Sequence, residues 1–174
     1  MQHSVENVSR PTGTAHTPAA AFEVSHSIFD TLAKQHAEAV ALLKQAQCAN
    51  NPDQQRQLWE TCRVELLSHE RAEVLVLYQA IARQADPGHI PERHEAEAPA
   101  LETAIENVDA ASYGTQAWLQ RLDALRTLVY QHVAEEEKVL FRQALELLGD
   151  ETALALDQEY RQTQRKLLGE LLRH

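Results

Sequence analysis

The sequence predicts an all-α protein: an antiparallel up-down four-helix bundle with an additional short C-terminal helix. Ala, Leu, Gln and Glu dominate, a helix-forming composition. Apolar residues recur at three- and four-residue spacing along four long segments, and no alternating strand pattern competes. The chain has only six prolines and five glycines in 174 residues, nearly all at places that read as loops. Long helices joined by short loops make antiparallel neighbours.

Residues 1–21 are polar, rich in Ser, Thr and Pro, and aperiodic, so they are expected to form a flexible tail. Residues 22–174 are expected to form one domain, a length that can bury a sizeable core. In the first helix, about 25–48, Phe29, Leu32, His36, Val40 and Leu43 mark one face. "ANNPD" breaks it, and Asn51-Pro52 suits an N-cap and first helical position. The second helix runs to about 84, with Cys62, Leu66, His69, Glu73, Val76 and Ala80 on its stripe. "ADPGHIPE" is a loop.

The third helix, about 91–109, carries His94, Leu101, Ile105 and Val108 on one stripe. Pro99 predicts a kink there, or an irregular turn holding His94. After "AASYGT", the fourth helix spans about 115–148 with Trp118, Leu122, Leu125, Val129, His132, Glu136, Leu140 and Leu147 inward. Gly149 stops it. Asp150 is expected to cap a fifth helix that packs outside the bundle through Leu154, Tyr160, Leu167, Leu168 and Leu171.

The formal net charge of -10 argues against nucleic acid, which demands a basic face, and against an anionic membrane surface. No apolar run has the length of a membrane span. The N-terminus has no basic start followed by an apolar stretch, so no secretory signal is expected. Cys48 and Cys62 form no CxxC and no disulfide framework, which predicts a cytoplasmic location.

Each of the four long segments places one histidine on its apolar stripe: His36, His69, His94 and His132. Two add a carboxylate four residues later, Glu73 and Glu136. Residues i and i+4 share a helix face, about 6 Å apart along the axis. Such groups are costly to bury without a partner. A metal bound by inward ligands from several helices answers that cost, and imidazole with carboxylate suits iron as well as zinc. Two Glu bridges with terminal histidines can hold two irons.

A single histidine on an apolar stripe is ordinarily a satisfied core residue, and one HxxxE pair arises easily by chance. Two such pairs plus a core histidine on each remaining helix do not. Glu70 is a further ligand candidate, with a solvated residue as its alternative. Glu135 and Glu137 are expected to be surface charges, and Trp59 and Trp118 to be core or helix-end packing. His26 is expected off the stripe, and His89 is the only stand-in for His94. "HERAE" begins like HExxH, but position 73 is Glu. Leu66 and Val129 stand three before His69 and His132, which argues against the Glu-x-x-His sites of ferritin-like proteins.

The stretches "SIFDTLAKQHAEAVALL", "ELLSHERAEVLVLYQAI" and "HVAEEEKVLF" resemble the hemerythrin-like, or HHE cation-binding, family over about residues 25–172. The resemblance implies a four-helix bundle with a non-haem di-iron centre. By position it implies the metal ligands His36, His69, Glu73, His94, His132 and Glu136, with Glu73 and Glu136 bridging and Glu70 able to join. The chain departs from oxygen-carrying members in two places. Ala98 stands where they have a second helix-three histidine, leaving water, Glu70 or Glu97 to complete one iron. HxxxE stands where they have HxxxxD. Both point away from reversible oxygen carriage.

The function expected is therefore a metal- and oxygen-binding protein with two Fe ions, zinc being a possible substitute. It would bind or react with O2, NO or peroxide in iron or oxygen sensing or handling, and is not primarily an enzyme. An iron-responsive protein-interaction module is the alternative. A weak peroxidase or oxidase ranks below both, because no dedicated substrate pocket is legible in the sequence.

Overall fold

A computed structural model describes residues 26–86, 88 and 90–173, apart from the side chains of 91–98. The expected tail and His89 lie outside the described residues, as does the side chain of His94. The described residues form an all-helical bundle without strands. No helix among them is long and apolar enough to cross a membrane.

Helix α1 is Ile28–Cys48, opened by a capping box in which Ser27 and Asp30 satisfy each other's backbone N–H groups. Helix α2 comprises the α-helix Pro52–Glu73, a π-helical turn Val74–Tyr78 and a last α-helical turn Gln79–Ala82. Asn51 caps it, with Pro52 at the first position. Helix α3 is Ile90–Asp109. It runs through the exposed Pro99 without a break, so the expected irregular turn is absent. At an exposed position, water can take up the carbonyl that an interior proline leaves unpaired.

Helix α4 is built like α2: the α-helix Gln116–Glu135, a π-helical turn Glu136–Leu140 and the α-helix Phe141–Leu148. Helix α5 is Asp150–Leu171. Its N-cap is Gly149 rather than Asp150, which is the first helical residue. Gly149 has φ +78°, a conformation that side chains disfavour, so the reversal between α4 and α5 depends on glycine.

Side-chain hydrogen bonds give the helix directions. His36 meets Glu137 while Gln47 meets Asp123, so α1 and α4 run antiparallel. Asp109 bonds Trp59 and Arg63 while Glu102 bonds Arg71, so α2 and α3 are antiparallel. Thr31 with Asp157 and Gln35 with Gln164 make α1 and α5 parallel.

The fifth helix corrects the sequence reading. It has 22 residues and packs along both α1 and α2. Its inward stripe is Ala153, Leu156, Tyr160 and Gln164, whereas Leu154 is 41% exposed.

The core has two apolar layers. One contains Ile28, Leu32, Val76, Leu77, Ile81, Phe141, Leu156 and Tyr160. The other contains Leu43, Trp59, Cys62, Leu66, Ile105, Trp118, Leu122, Leu125 and Val129. Along α1, α2 and α4 the residues between these layers are His36, then His69, Glu70 and Glu73, then His132 and Glu136. A polar layer thus divides the core, held in place by the apolar packing on either side of it.

Candidate metal centre

His36, His69, Glu70, Glu73 and Glu136 are all buried, and His132 is nearly so. His36 and His69 meet with ring centroids 4.9 Å apart, and His36 and His132 with centroids 6.3 Å apart. Glu136 Oε2 lies between two rings, 3.2 Å from His36 Nε2 and 3.3 Å from His132 Nε2. His69 Nε2 is 3.5 Å from Glu73 Oε2, and His132 Nε2 is 3.7 Å from Glu70 Oε2. Five of the six residues expected as ligands, with Glu70, therefore share one volume. The sixth, His94, lies outside the described side chains.

Two donor groups emerge. Atoms of His36, His69 and Glu73 lie within 4.8 Å of one another, and so do atoms of Glu70, Glu73 and His132. Donors on one ion, with bonds of about 2.2 Å, lie no more than about 4.4 Å apart. Both groups are close to that span, and they share Glu73.

The polar atoms facing this volume fit a cation. Nε2 of His69 and both carboxylate oxygens of Glu73 make no hydrogen bond, and Nε2 of His36 has only Glu136 Oε2 beside it. Buried polar groups are rarely left so. The outward nitrogens, by contrast, are held. His36 Nδ1 lies 3.0 Å from Glu137 Oε1, where its N–H can donate. Glu137 was expected to be a surface charge. It is partly exposed, and yet it fixes the ring of a buried histidine.

His69 is oriented by groups that the sequence reading missed. Gln35 Nε2 donates to Gln164 Oε1 at 2.7 Å, which turns Gln35 Oε1 toward His69 Nδ1, 2.9 Å away. Tyr160 of α5 donates its hydroxyl proton to the same Gln35 oxygen at 2.6 Å and lies 2.9 Å from His69 Nδ1. An amide oxygen only accepts, and the Tyr160 proton is already engaged, so Nδ1 carries the hydrogen and Nε2 is the bare lone pair. This is the arrangement by which outer partners orient metal-binding histidines. Tyr78 donates to Glu136 Oε1 at 2.7 Å, and Phe141 stacks on His36 with centroids 5.8 Å apart.

The charges are set by the same packing. Burial, with the nearby His36, lowers the His69 pKa to about 4, which leaves a neutral imidazole at neutral pH. Burial opposes ionisation of Glu136, but His36 and His132 outweigh it and hold its carboxyl at about 2. Burial works against protonated His36 as well, and the Glu136 and Glu137 carboxylates more than offset this. Glu73 is pushed well above the usual carboxylate range by burial and by the Glu136 and Glu70 charges. Burial also raises both tyrosines, Tyr78 and Tyr160, so they remain donors.

Cys62, two turns before His69, is a buried free thiol raised to about 12 by desolvation and Glu65. Cys48 is free and exposed. Trp59 and Trp118 are fully buried in the core, and His26 is exposed.

The family model described as "Hemerythrin HHE cation binding domain" matches residues 27–144. Searches of curated proteins and of solved structures returned no match.

Proposed function

The chain belongs to the hemerythrin HHE cation-binding family, and on that premise we propose that it is a di-iron protein that binds or reacts with O2, NO or peroxide. The observation that carries this reading is the cluster of buried donor atoms left without hydrogen bonds at the shared Glu73. In this reading, His36 and His69 would hold one ion, Glu70 and His132 the other, and Glu73 and Glu136 would be shared between them. By the family resemblance His94 would be the further ligand from α3. The four long helices form the family's up-down bundle within a single domain spanning 22–174, with the C-terminal helix laid along it. Two free cysteines suit a reducing cytoplasm.

When bound, an iron pair would supply the electrons and the open coordination positions that a diatomic or peroxide needs. The chain supplies the rest. Glu137 and Gln35 keep the two histidine lone pairs aimed inward. The Tyr78 hydroxyl holds one oxygen of Glu136 and leaves the other facing the histidines. Leu66 and Val129 on one side, and Val76 and Phe141 on the other, belong to the apolar layers that flank the volume. Zinc fits the same donors, so the metal found after purification need not be the working one.

The test is anaerobic titration of stripped protein with ferrous iron, followed by air and a visible spectrum over time. Two irons per chain with oxo-bridged di-iron bands are expected. Binding of a single iron would withdraw the di-iron reading. Bands that persist on deoxygenation favour redox handling or sensing, and bands that bleach favour oxygen binding.

A further inference from the structure

A pocket of about 410 Å³ opens beside the polar layer, between α1 and α2, with Leu101 of α3, Val129 and Val133 of α4 and Gln164 of α5 on its other sides. Its floor includes His36, His69, Glu70 and His132, so whatever fills it touches the metal-facing groups. A water occupies about 30 Å³ of liquid volume, and a diatomic is of similar size. The space is therefore about tenfold larger than O2, NO or peroxide requires, and falls in the range of pockets that enclose organic ligands, about 300–1,000 Å³.

The lining gives the class of ligand. Ala39, Leu42, Leu66, Leu101, Val129 and Val133 make the walls apolar. Exposed Glu38, with half-buried Glu65, lies toward the rim, and among the described residues no Lys or Arg lines the pocket. Lys34 pairs with Glu38 at 3.7 Å, but both are well exposed, so this pair is weak. The carboxyl of Glu65 is raised by burial and by the Glu38 charge, the mark of an acidic rim without a compensating cation. An anion entering here would meet like charge at the rim before it reached the polar groups of the floor.

We propose that this pocket binds a small organic molecule with an apolar body and a neutral or cationic head, presenting it to the metal centre. The proposal rests on the metal-centre reading for its functional meaning. The walls, however, belong to the chain itself, so binding can be measured with and without metal.

The probes are 2-phenylethylamine, 2-phenylethanol and 3-phenylpropanoate, which share one body and differ in head charge. Calorimetric titration is run on the stripped full-length chain and on the zinc-loaded chain, which is redox-inert. On the stripped chain the amine and the alcohol are expected to bind, and the carboxylate about tenfold more weakly or worse, a gap that zinc narrows by adding positive charge at the floor. Ala39→Phe fills the pocket from a partly exposed position and should abolish probe binding while zinc stoichiometry is kept. Where that variant misfolds, the double variant Glu38→Gln, Glu65→Gln serves instead, and should bring the carboxylate up to the affinity of the alcohol. Absence of binding by all three probes overturns the pocket. Equal binding of the carboxylate to the stripped native chain overturns the assigned class, and unchanged binding in a folded Ala39→Phe places the probe elsewhere. Failure of the iron titration with intact probe binding would remove the metal reading alone.

Discussion

Tyr160 lies beyond the residues matched by the family model, yet its hydroxyl shares the Gln35 oxygen that holds His69. The effect is indirect: Tyr160 fixes the Gln35 carbonyl, and that carbonyl fixes the His69 tautomer. Replacing Tyr160 with Phe keeps the ring in the core and removes one hydroxyl. Outer partners of this kind are worth about 10–100-fold in metal affinity. Tyr160→Phe is therefore expected to weaken metal binding within that range while the metal-free melting temperature changes little. Competition with a chelator of known affinity, alongside a thermal melt, checks it. A lowered melt with unchanged affinity would reduce Tyr160 to packing. The sequence displayed His36, His69, Glu73, His132 and Glu136 because each recurs on an apolar stripe. Gln35 and Gln164 carry no such signal, since a glutamine is as common on a wet face as on a dry one. Glu137 is exposed, as a surface charge should be, and the sequence carries no sign that its Oε1 also reaches His36 Nδ1.

At the scale of elements, the π-helical turns do what α-helical periodicity conceals. In an α-helix the residue bonded above position i is i+4, and in a π turn it is i+5. Each π turn follows or begins at a carboxylate of an HxxxE pair, at Glu73 and at Glu136. The residue five beyond Glu73 is Tyr78, which bonds Glu136, and five beyond Glu136 is Phe141, which stacks on His36. Helical-wheel reasoning places Leu77 and Leu140 there instead, which is why both aromatics were missed. Helix number and approximate boundaries were legible because caps and breakers are local. The inward stripe of α5 was legible only in part: Tyr160, Leu167 and Leu171 pack on the core as expected, but Leu154 is exposed and Ala153, Leu156 and Gln164 take the remaining inward places. A π turn behaves as one residue inserted into an α-helix. Deleting the exposed Leu75 should therefore restore regular α-helix while keeping the Tyr beside Glu136 and the ligand layer intact. Deleting the exposed Arg71 turns everything before it by about 100° relative to everything after it, so His69 and Glu73 become an i, i+3 pair and His69 cannot keep both its partners on α1 and its place beside Glu73. Iron counts and thermal melts of the two deletions should differ sharply, with ΔLeu75 near the native chain and ΔArg71 without iron. Equal loss in both would show that the π turn is not an insertion in this sense.

Across the whole molecule, the polar layer is a cost that metal offsets. Two apolar layers stabilise the bundle, and between them Glu73 is fully buried without a hydrogen bond. In the metal-free chain Glu73 keeps its proton well above the usual carboxylate range, whereas the unfolded chain releases it near 4.5. Below about that pH both states hold the proton and no cost arises. As pH rises the unfolded state ionises first, so folding loses stability until the folded carboxyl also ionises. Glu73→Gln removes this penalty. It is expected to stabilise the metal-free protein at neutral pH by about 1.4 kcal/mol for each pH unit by which the folded carboxyl is raised, since the amide does not titrate. At about 2–4 °C per kcal/mol for a chain of this length, that is a rise of several degrees in the metal-free melting temperature, shrinking toward acid. The same variant lacks the carboxylate common to both donor groups, so metal should no longer raise its melting temperature. In the native chain, metal at about 1,000 times its Kd should add about 4 kcal/mol. Opposite signs for one substitution, gained without metal and lost with it, distinguish a residue kept for binding from one kept for folding. If Glu73→Gln lowered the melting temperature in both forms, Glu73 would be a structural residue, and the polar layer would need another explanation.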